Sequence, residues 1–521
     1  MNADKIRKLR TVINECLRVQ QNSDHQIPYI DSGNTLDDVM ARQNHVIFGR
    51  RGCGKTLLLN ESAKRLLKIP SIKTIYLNCE DFKKHSFPNV LIEILDSLFG
   101  TLEQNLSGWF GRKKRSRELI TGIRKQLYEL KRKQDERESD VREKEATKTQ
   151  VNQKIQAGIG AQVGMSKLGF EALDDSLSDT TQEKELHYKI NENKMHELNN
   201  WLPELKRQIK EFFKLSKSVD AIFLQIDDFY HLRRVDQPLV IDFIHRLCKD
   251  LPLFFKLATL RHGSTLYIDS NGQPVGAQER HDYQPIDIDF TFTNFSRTVE
   301  QNRRILQQFG SLAGFTPQDI NNLFKGNGFE RLVLAGGGVP RDCLSLFLEV
   351  LEKVKSENED GQIGKDDVRI LSRSNFERRI EELKQDSEGD EQKALISGIY
   401  ALRQFCIAKK TNIIIVSEAT LQKEDKIRNL LYRLLDYRII HIAGTALTHK
   451  SQPGTYHAFV IDIGCYAFMR VLEGRFNEID LGDTEAKEKM RSAPILDKEL
   501  NAIWQTIPVD AEAALKTQEN N

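Results

Sequence analysis

Residues 48–56 read "FGRRGCGKT", and what this stretch can hold decides the fold. The run Gly49-Arg50-Arg51-Gly52-Cys53-Gly54-Lys55-Thr56 fits G-x-x-x-x-G-K-[ST] at every fixed position. Upstream, "HVIF" (45–48) is a short apolar strand. Downstream, "TLLLNESAKRLL" (56–67) carries its apolar residues at helical spacing. Strand, glycine turn and helix is the order that phosphate binding requires. Gly49, Gly52 and Gly54 let backbone N–H groups wrap around phosphates, and the helix N-terminus adds its partial positive charge. Lys55 is expected to reach the β- and γ-phosphates of ATP, and Thr56 to ligate Mg²⁺. Arg50, Arg51 and Cys53 complete the loop.

Such a loop needs an acidic partner on a neighbouring strand. "DAIFLQIDDFY" (220–230) is an apolar run ending in Asp227-Asp228. Asp227 is expected to hold the magnesium ion through water. The following helix, "LVIDFIHRLCKD" (239–250), leads into a further strand, "LPLFFKLATL" (251–260). Thr259 at its end is a candidate sensor of the γ-phosphate or a strand-capping threonine. Arg261 and Arg280 are candidate fingers reaching a neighbouring subunit, or surface arginines. In "LAGGGVPRDCLSLFLEVLEKV" (334–354) a glycine turn opens a helix with Arg341 in its first turn. Arginine is unfavourable at a helix N-terminus, so an anion in reach is expected there, either a phosphate or a nearby carboxylate.

These residues, taken in order, resemble the AAA+ ATPases. The likeness is strongest to the clade of origin-recognition and replication-initiator ATPases and their bacterial relatives. It rests on "GRRGCGKT", "FLQIDD", "LATLR" and "GGVPRD", and covers roughly 30–110 and 215–475. The resemblance implies a catalytic set of Asp228 (water polarisation), Thr259 (first sensor) and Arg341 (second sensor, on the γ-phosphate). It also implies ATP hydrolysis, a homo-oligomer, and a winged helix after the lid. One departure stands out. Asp227-Asp228 replaces the usual Asp-Glu, and the shorter Asp228 is expected to hold an attacking water poorly. That pair is similar to the one in the signal-transducing STAND ATPases, which act as slow nucleotide switches.

The chain has 521 residues, 39% apolar and 29% charged, with a formal net charge of +2. A nucleic-acid surface must therefore be local rather than global. The seven cysteines (16, 53, 79, 248, 343, 406, 465) show no metal-ligand spacing, which points to a reducing compartment and away from zinc. No apolar run is long enough to span a membrane. The first residues form a polar amphipathic helix without the apolar core of a signal peptide. A cytoplasmic protein is expected.

The alternation of strands (45–48, 72–79, 220–227, 253–260, 284–292) with helices implies an α/β, doubly wound parallel sheet. The expected division is an N-terminal helix (1–30), an ATPase core (31–110 and 216–295), a helical insertion (111–215), a helical lid (296–385), a winged-helix-like domain (393–475) and a tail (476–521). Within the insertion, residues 111–154 hold fifteen Lys/Arg against eight Asp/Glu, and 155–173 are glycine-rich. Two long helices joined at that tip would make an antiparallel coiled-coil arm, either a solvated spacer or a contact for a protein partner. "RKKR" (112–115) is a further candidate for touching phosphates.

In the winged-helix-like unit, Ile427, Leu430, Leu431, Leu434 and Leu435 form the apolar stripe of an amphipathic helix. If that unit binds double-stranded DNA, residues 422–436 enter the major groove. Lys423, Lys426, Arg428 and Arg433 would then be its cations, with Lys450 on the wing. Glu424 and Asp425 weigh against a strongly basic face. Two functions remain open. One is an ATP-dependent assembly protein on nucleic acid; bacterial relatives of this clade with coiled-coil insertions often sit in mobile-element or anti-phage gene clusters. The other is a nucleotide switch signalling through protein contacts alone.

Overall fold

The computed structural model describes residues 3–17, 29–31, 33–104, 114–132, 193–270, 272–387, 389–466, 476–497, 511–512 and 515. Strand β1 (His45–Phe48) is buried at all four positions. It pairs in parallel with a strand on each side, so neither face nor edge meets water. The other strands are β2 (Ile72–Asn78), β3 (Ala221–Asp227), β4 (Leu253–Thr259), a hairpin of β5 (Tyr267–Ser270) and β6 (Gln273–Gly276), and β7 (Gln284–Asp287). The parallel sheet runs in the order β2-β3-β4-β1-β7.

Helices cover both faces. One face carries α2 (Thr35–Met40) and α3 (Lys55–Leu66), whose Leu36, Val39, Leu58 and Leu59 meet Ile47 and Ala258. The other carries α4 (Asn89–Gln104), α5 (114–132), α6 (193–215) and α7 (Gln237–Cys248), packed on Ile75 and Leu77 of β2, Ile222, Leu224 and Ile226 of β3, and Phe255 and Leu257 of β4. Because β4 lies between β1 and β3, the ends of all three strands converge. Phe48 is level with Thr259, and Asn78 with Asp227.

Helices α8 (Phe295–Leu312), α9 (Pro317–Asn321), α10 (Gly328–Ala335), α11 (Pro340–Glu357) and α12 (Lys365–Asp386) follow the sheet. Then come α13 (Gly389–Lys409), β8 (Ile413–Ser417), α14 (Glu418–Lys423), α15 (Asp425–Asp436), β9 (Ile440–Thr448) and β10 (Thr455–Ile461). The last three strands form an antiparallel sheet, β8-β10-β9, consistent with a winged helix. One apolar cluster runs from N-terminal helix α1 (Ala3–Cys16) through α8 and α11 to β8 and β10, so lid and C-terminal unit share a core.

Several expectations change. The strand expected over 284–292 ends at Asp287, because Asp289 leaves the sheet to pair with Arg50. The β5–β6 hairpin was not expected, although "SNGQPVG" carries a turn signal. The stretch left between the expected lid and winged-helix-like domain (386–392) holds only a short break, with α12 running to Asp386 and α13 helical from Gly389. The glycine-rich tip (155–173) and most of "ILDKELNAIWQTI" (495–507) lie outside the described residues.

The described root of the arm is an antiparallel helix pair. Lys131 of α5 pairs with Glu93, and Lys194 of α6 bonds Asn89, both near the start of α4. At the opposite end Ser216 Oγ donates to Ser116 Oγ at 2.9 Å. Ile120, Ile123 and Leu127 of α5 and Leu198, Leu205 and Ile209 of α6 are buried in the core cluster with α4.

Candidate nucleotide site

Gly52 and Gly54 hold φ of +86° and +96°, and Gly54 caps α3 in the left-handed region. Only glycine adopts this geometry without strain. Lys55 is 5% exposed, and its Nζ donates to the carbonyl oxygens of Gly49 (2.7 Å) and Arg50 (3.3 Å). Burial lowers its pKa, while Asp228 and Asp227 work in the opposite direction. The loop's open side faces a cavity of about 650 Å³ lined by Arg51, Lys55, Thr56, Asp228, Tyr230 and Arg341 among others. That is the size of a drug-sized ligand site.

Across the loop, Asp227 is fully buried. Its carboxylate accepts hydrogen bonds from Thr56 and Tyr76, the latter at 2.8 Å. Burial first, then Asp228, pushes its pKa up. Thr56 and Asp227 are thus brought into contact as two hard oxygen donors, which fits Mg²⁺ held together with phosphate oxygens. Such an ion would neutralise phosphate charge. Asp228 follows in a left-handed conformation (φ 51°) and lines the cavity.

Arg341 reaches the site because of the glycine turn before it. At Gly337 (φ +64°) an added Cβ would lie 2.4 Å from the His441 ring. The turn thereby brings the start of α11 onto the loop, where Arg341 N lies 3.4 Å from Gly52 O. Among the described residues, the Arg341 guanidinium forms no ion pair with a carboxylate within 4.0 Å, and it lines the cavity.

Other residues are placed elsewhere. Arg50 is buried and turned away from the cavity, because Asp289 binds its guanidinium at 2.6 and 2.8 Å and also takes its backbone N–H at 3.3 Å. Cys53 Sγ also donates to Asp289. Arg51 lines the cavity, stacks over Tyr230 at 4.8 Å and pairs with Asp386. Thr259 does not line the cavity; its hydroxyl bonds Ser264, and its carbonyl accepts from Gly49 N at 3.3 Å. Arg261 pairs with Glu279 and Asp287 and lies 3.8 Å from the centre of the Phe48 ring, so it is engaged within this chain. Arg280 sits at φ 67° beside β7.

Sequence reasoning missed the network behind the loop. Arg438 (φ 61°) donates to Arg51 O and pairs with Asp342 and Glu382. Arg379 pairs with Asp342 and Asp462, and His441 bonds both Asp462 and Arg50. Asp342 is held below the usual carboxylate range: Arg438 and Arg379 outweigh its burial. Burial lowers the His441 pKa to about 4. Arg438, His441 and Asp462 interrupt otherwise apolar runs, which is a sequence signal; Arg379 and Glu382 lie in a charged helix and carry none.

Helix α15 is docked on the core. Tyr432 stacks on His262 with ring centres 4.3 Å apart, and Leu431, Leu434, Leu435 and Asp436 are buried. Arg428 pairs with Asp425, Arg433 with Glu391, and Lys450 with Glu488. Of the cations expected to meet DNA, these three are engaged within the chain. The C-terminal half of 422–436 is covered; Lys423 and Lys426 are exposed.

No family model matches the chain, and the search of curated proteins found no relative. Over most of its length the chain is similar to the Walker-type ATPase of Pyrococcus abyssi at 12% identity, covering 89% of this chain and 94% of that one with a TM-score of 0.36. It is similar to the Orc1 protein of Aeropyrum pernix, solved in complex with DNA, at 12% identity over 95% and 97% of the two chains with a TM-score of 0.35. Cdc6p from Pyrobaculum aerophilum gives 12%, 92%, 97% and 0.32 respectively. Among the described residues, no helix is long and apolar enough to cross a membrane, and no group of three or more His, Cys, Asp or Glu is placed to hold a metal.

Proposed function

We propose that this chain binds ATP with Mg²⁺ at the 49–56 loop and hydrolyses it slowly. The bound nucleotide sets the position of the C-terminal unit, and the chain assembles as a homo-oligomer on nucleic acid. What carries the reading is the convergence of Lys55, Thr56, Asp228 and Arg341 on one cavity, with Asp227 bonded to Thr56 just behind it. In this reading Lys55 and Arg341 hold the phosphates, and Asp228 orients the attacking water. Thr259 acts through the P-loop carbonyl-to-amide contact with Gly49 rather than by touching phosphate. A setting in a mobile-element or anti-phage system belongs to the same reading.

A second reading has its own support. Docking of α15 on the core favours a nucleotide switch in the STAND manner, signalling through protein contacts without DNA. The test is steady-state ATP hydrolysis with and without double-stranded DNA, with Lys55→Ala as the blank. Stimulation by DNA supports the first reading. Slow turnover indifferent to DNA supports the second, and turnover unchanged in Lys55→Ala rejects both.

A further inference from the structure

The root of the arm concentrates positive charge that the rest of the chain lacks. Residues 114–132 hold seven Lys/Arg and two Asp/Glu, and 193–217 hold six and three. The intervening 133–192 reverse the balance, with nine against thirteen, and the whole chain carries only +2. The excess therefore belongs to α5, α6 and the residues just after α6.

Some of these cations are spent locally. Arg124 pairs with Asp96 and Glu103, Lys131 with Glu93, and Arg207 with Glu204 and Glu211. Arg115, Lys125, Lys210, Lys214 and Lys217 are different: all are exposed, and none forms an ion pair among the described residues. Lys210 and Lys214 stand at i and i+4 on one side of α6, and Lys217 follows in the turn just after the helix. The Ser116–Ser216 hydrogen bond sets Arg115 beside Lys217. The antiparallel pairing then carries Lys125 alongside the α6 residues. At 1.5 Å per residue the cations from 115 to 125 extend over about 15 Å. The apolar sides of both helices are buried against α4, so the arrangement is rigid and the charge faces outward. Of the acids on these helices, Glu118, Glu204 and Glu211 are already paired with cations of the same helix, and the exposed Glu129 and Asp220 oppose the excess.

We infer that this α5–α6 surface, not α15, is where the chain meets a nucleic-acid backbone. The inference rests on the nucleic-acid reading above and names the surface that serves it. A line of unpaired cations on a rigid support fits the regular negative charge of a duplex and discriminates little between sequences. The C-terminal unit fits that role poorly, since Arg428, Arg433 and Lys450 are already paired.

The experiment is fluorescence anisotropy of the full chain with a labelled 30-base-pair DNA duplex at several salt concentrations. Two variants are compared: Arg115→Gln with Lys125→Gln and Lys210→Gln, and Lys423→Gln with Lys426→Gln. All five positions are exposed, and thermal melting checks that each variant folds. The expected result is a loss of affinity of tenfold or more for the first variant, with a salt slope reduced by about 0.9 for each phosphate contact removed. The second variant should stay within twofold of the parent. Should the arm variant destabilise the chain, the single change Lys210→Gln replaces it, expected at about threefold with a correspondingly smaller slope. Affinity lost in the second variant and kept in the first overturns this inference while leaving the nucleic-acid reading standing. A parent chain that binds no duplex overturns both.

Discussion

Arg438 Nη1 donates to the main-chain oxygen of Arg51 at 3.0 Å, so the phosphate loop and the C-terminal unit share a hydrogen bond. A second link joins Arg50 Nη1 to His441 Nδ1 at 3.2 Å. The backbone that wraps the phosphates is therefore held from behind by residues nearly four hundred positions away. Any shift of that loop on binding is felt at the junction of α15 and β9.

Arg438→Met tests the link. The arginine is 1% exposed, and its loss leaves Glu382 unpaired and Asp342 with one partner fewer. Breaking a buried ion pair by removing one partner costs about 3–5 kcal/mol. Urea unfolding should show a loss in that range, with weaker ATP binding in the surviving fold. A loss under about 1 kcal/mol, on the scale of an exposed pair, would mean that the network contributes little.

Gly52→Ala tests the contact that brings Arg341 to the loop. An added Cβ would lie 2.8 Å from Arg341 Cβ, at a φ of +86°. The left-handed backbone alone costs about 1–2 kcal/mol, and the start of α11 must move away. Affinity for a fluorescent ATP analogue should fall more than tenfold while the fold persists. Unchanged affinity would show that the Gly52–Arg341 approach is not needed for binding.

Asp228→Glu probes the acid pair. Asp228 sits at φ 51°, a conformation that short polar side chains tolerate better than longer ones. The variant should keep nucleotide binding at a small stability cost and hydrolyse ATP at least as fast as the parent. Binding without any turnover would show that the shorter carboxylate is required.

Strand β1, the glycine turn and α3 are legible in residues 45–67 because each is a local pattern: an apolar run, fixed glycines, and a 3.6-residue period. The acid pair was equally plain, since apolar β3 ends on it. Long-range pairings were not legible. Arg50 in the loop motif reads as a phosphate contact until Asp289, 239 residues later, takes it. Tyr76 lies in an ordinary apolar strand, and nothing nearby in sequence marks its hydroxyl as a partner of Asp227. The amphipathic pattern of α15 shows that one side is buried, but not that Tyr432 stacks on His262 of the core. Patterns of period two or 3.6 say which residues go inside, not which element they meet there.

Asp436 gives a pH signature. Burial, outweighing Arg433, raises its pKa from 3.8 to about 7, and its Oδ2 has no hydrogen-bond partner. The folded state thus holds this proton more tightly than the unfolded chain does. The stability that follows is fully present below about pH 4 and is lost as pH rises through about 7. The slope in between is about 1.4 kcal/mol per pH unit. Asp436→Asn keeps the shape without the charge, so its melting temperature should fall less than the parent's between pH 5 and 7. Parallel curves would mean that Asp436 carries its charge at no cost.

Arg341→Ala separates the phosphates. In the proposed function this guanidinium faces the outermost phosphate, and a hydrogen bond to a charged group is worth about 1.5–3 kcal/mol. The alanine variant should therefore lose roughly tenfold or more in affinity for ATP and much less for ADP, measured by calorimetry on the same preparation. An equal loss for both nucleotides would place Arg341 on the inner phosphates. No loss for either would leave it as a packing residue against Gly52, whose carbonyl still faces the Arg341 backbone N–H in the alanine variant.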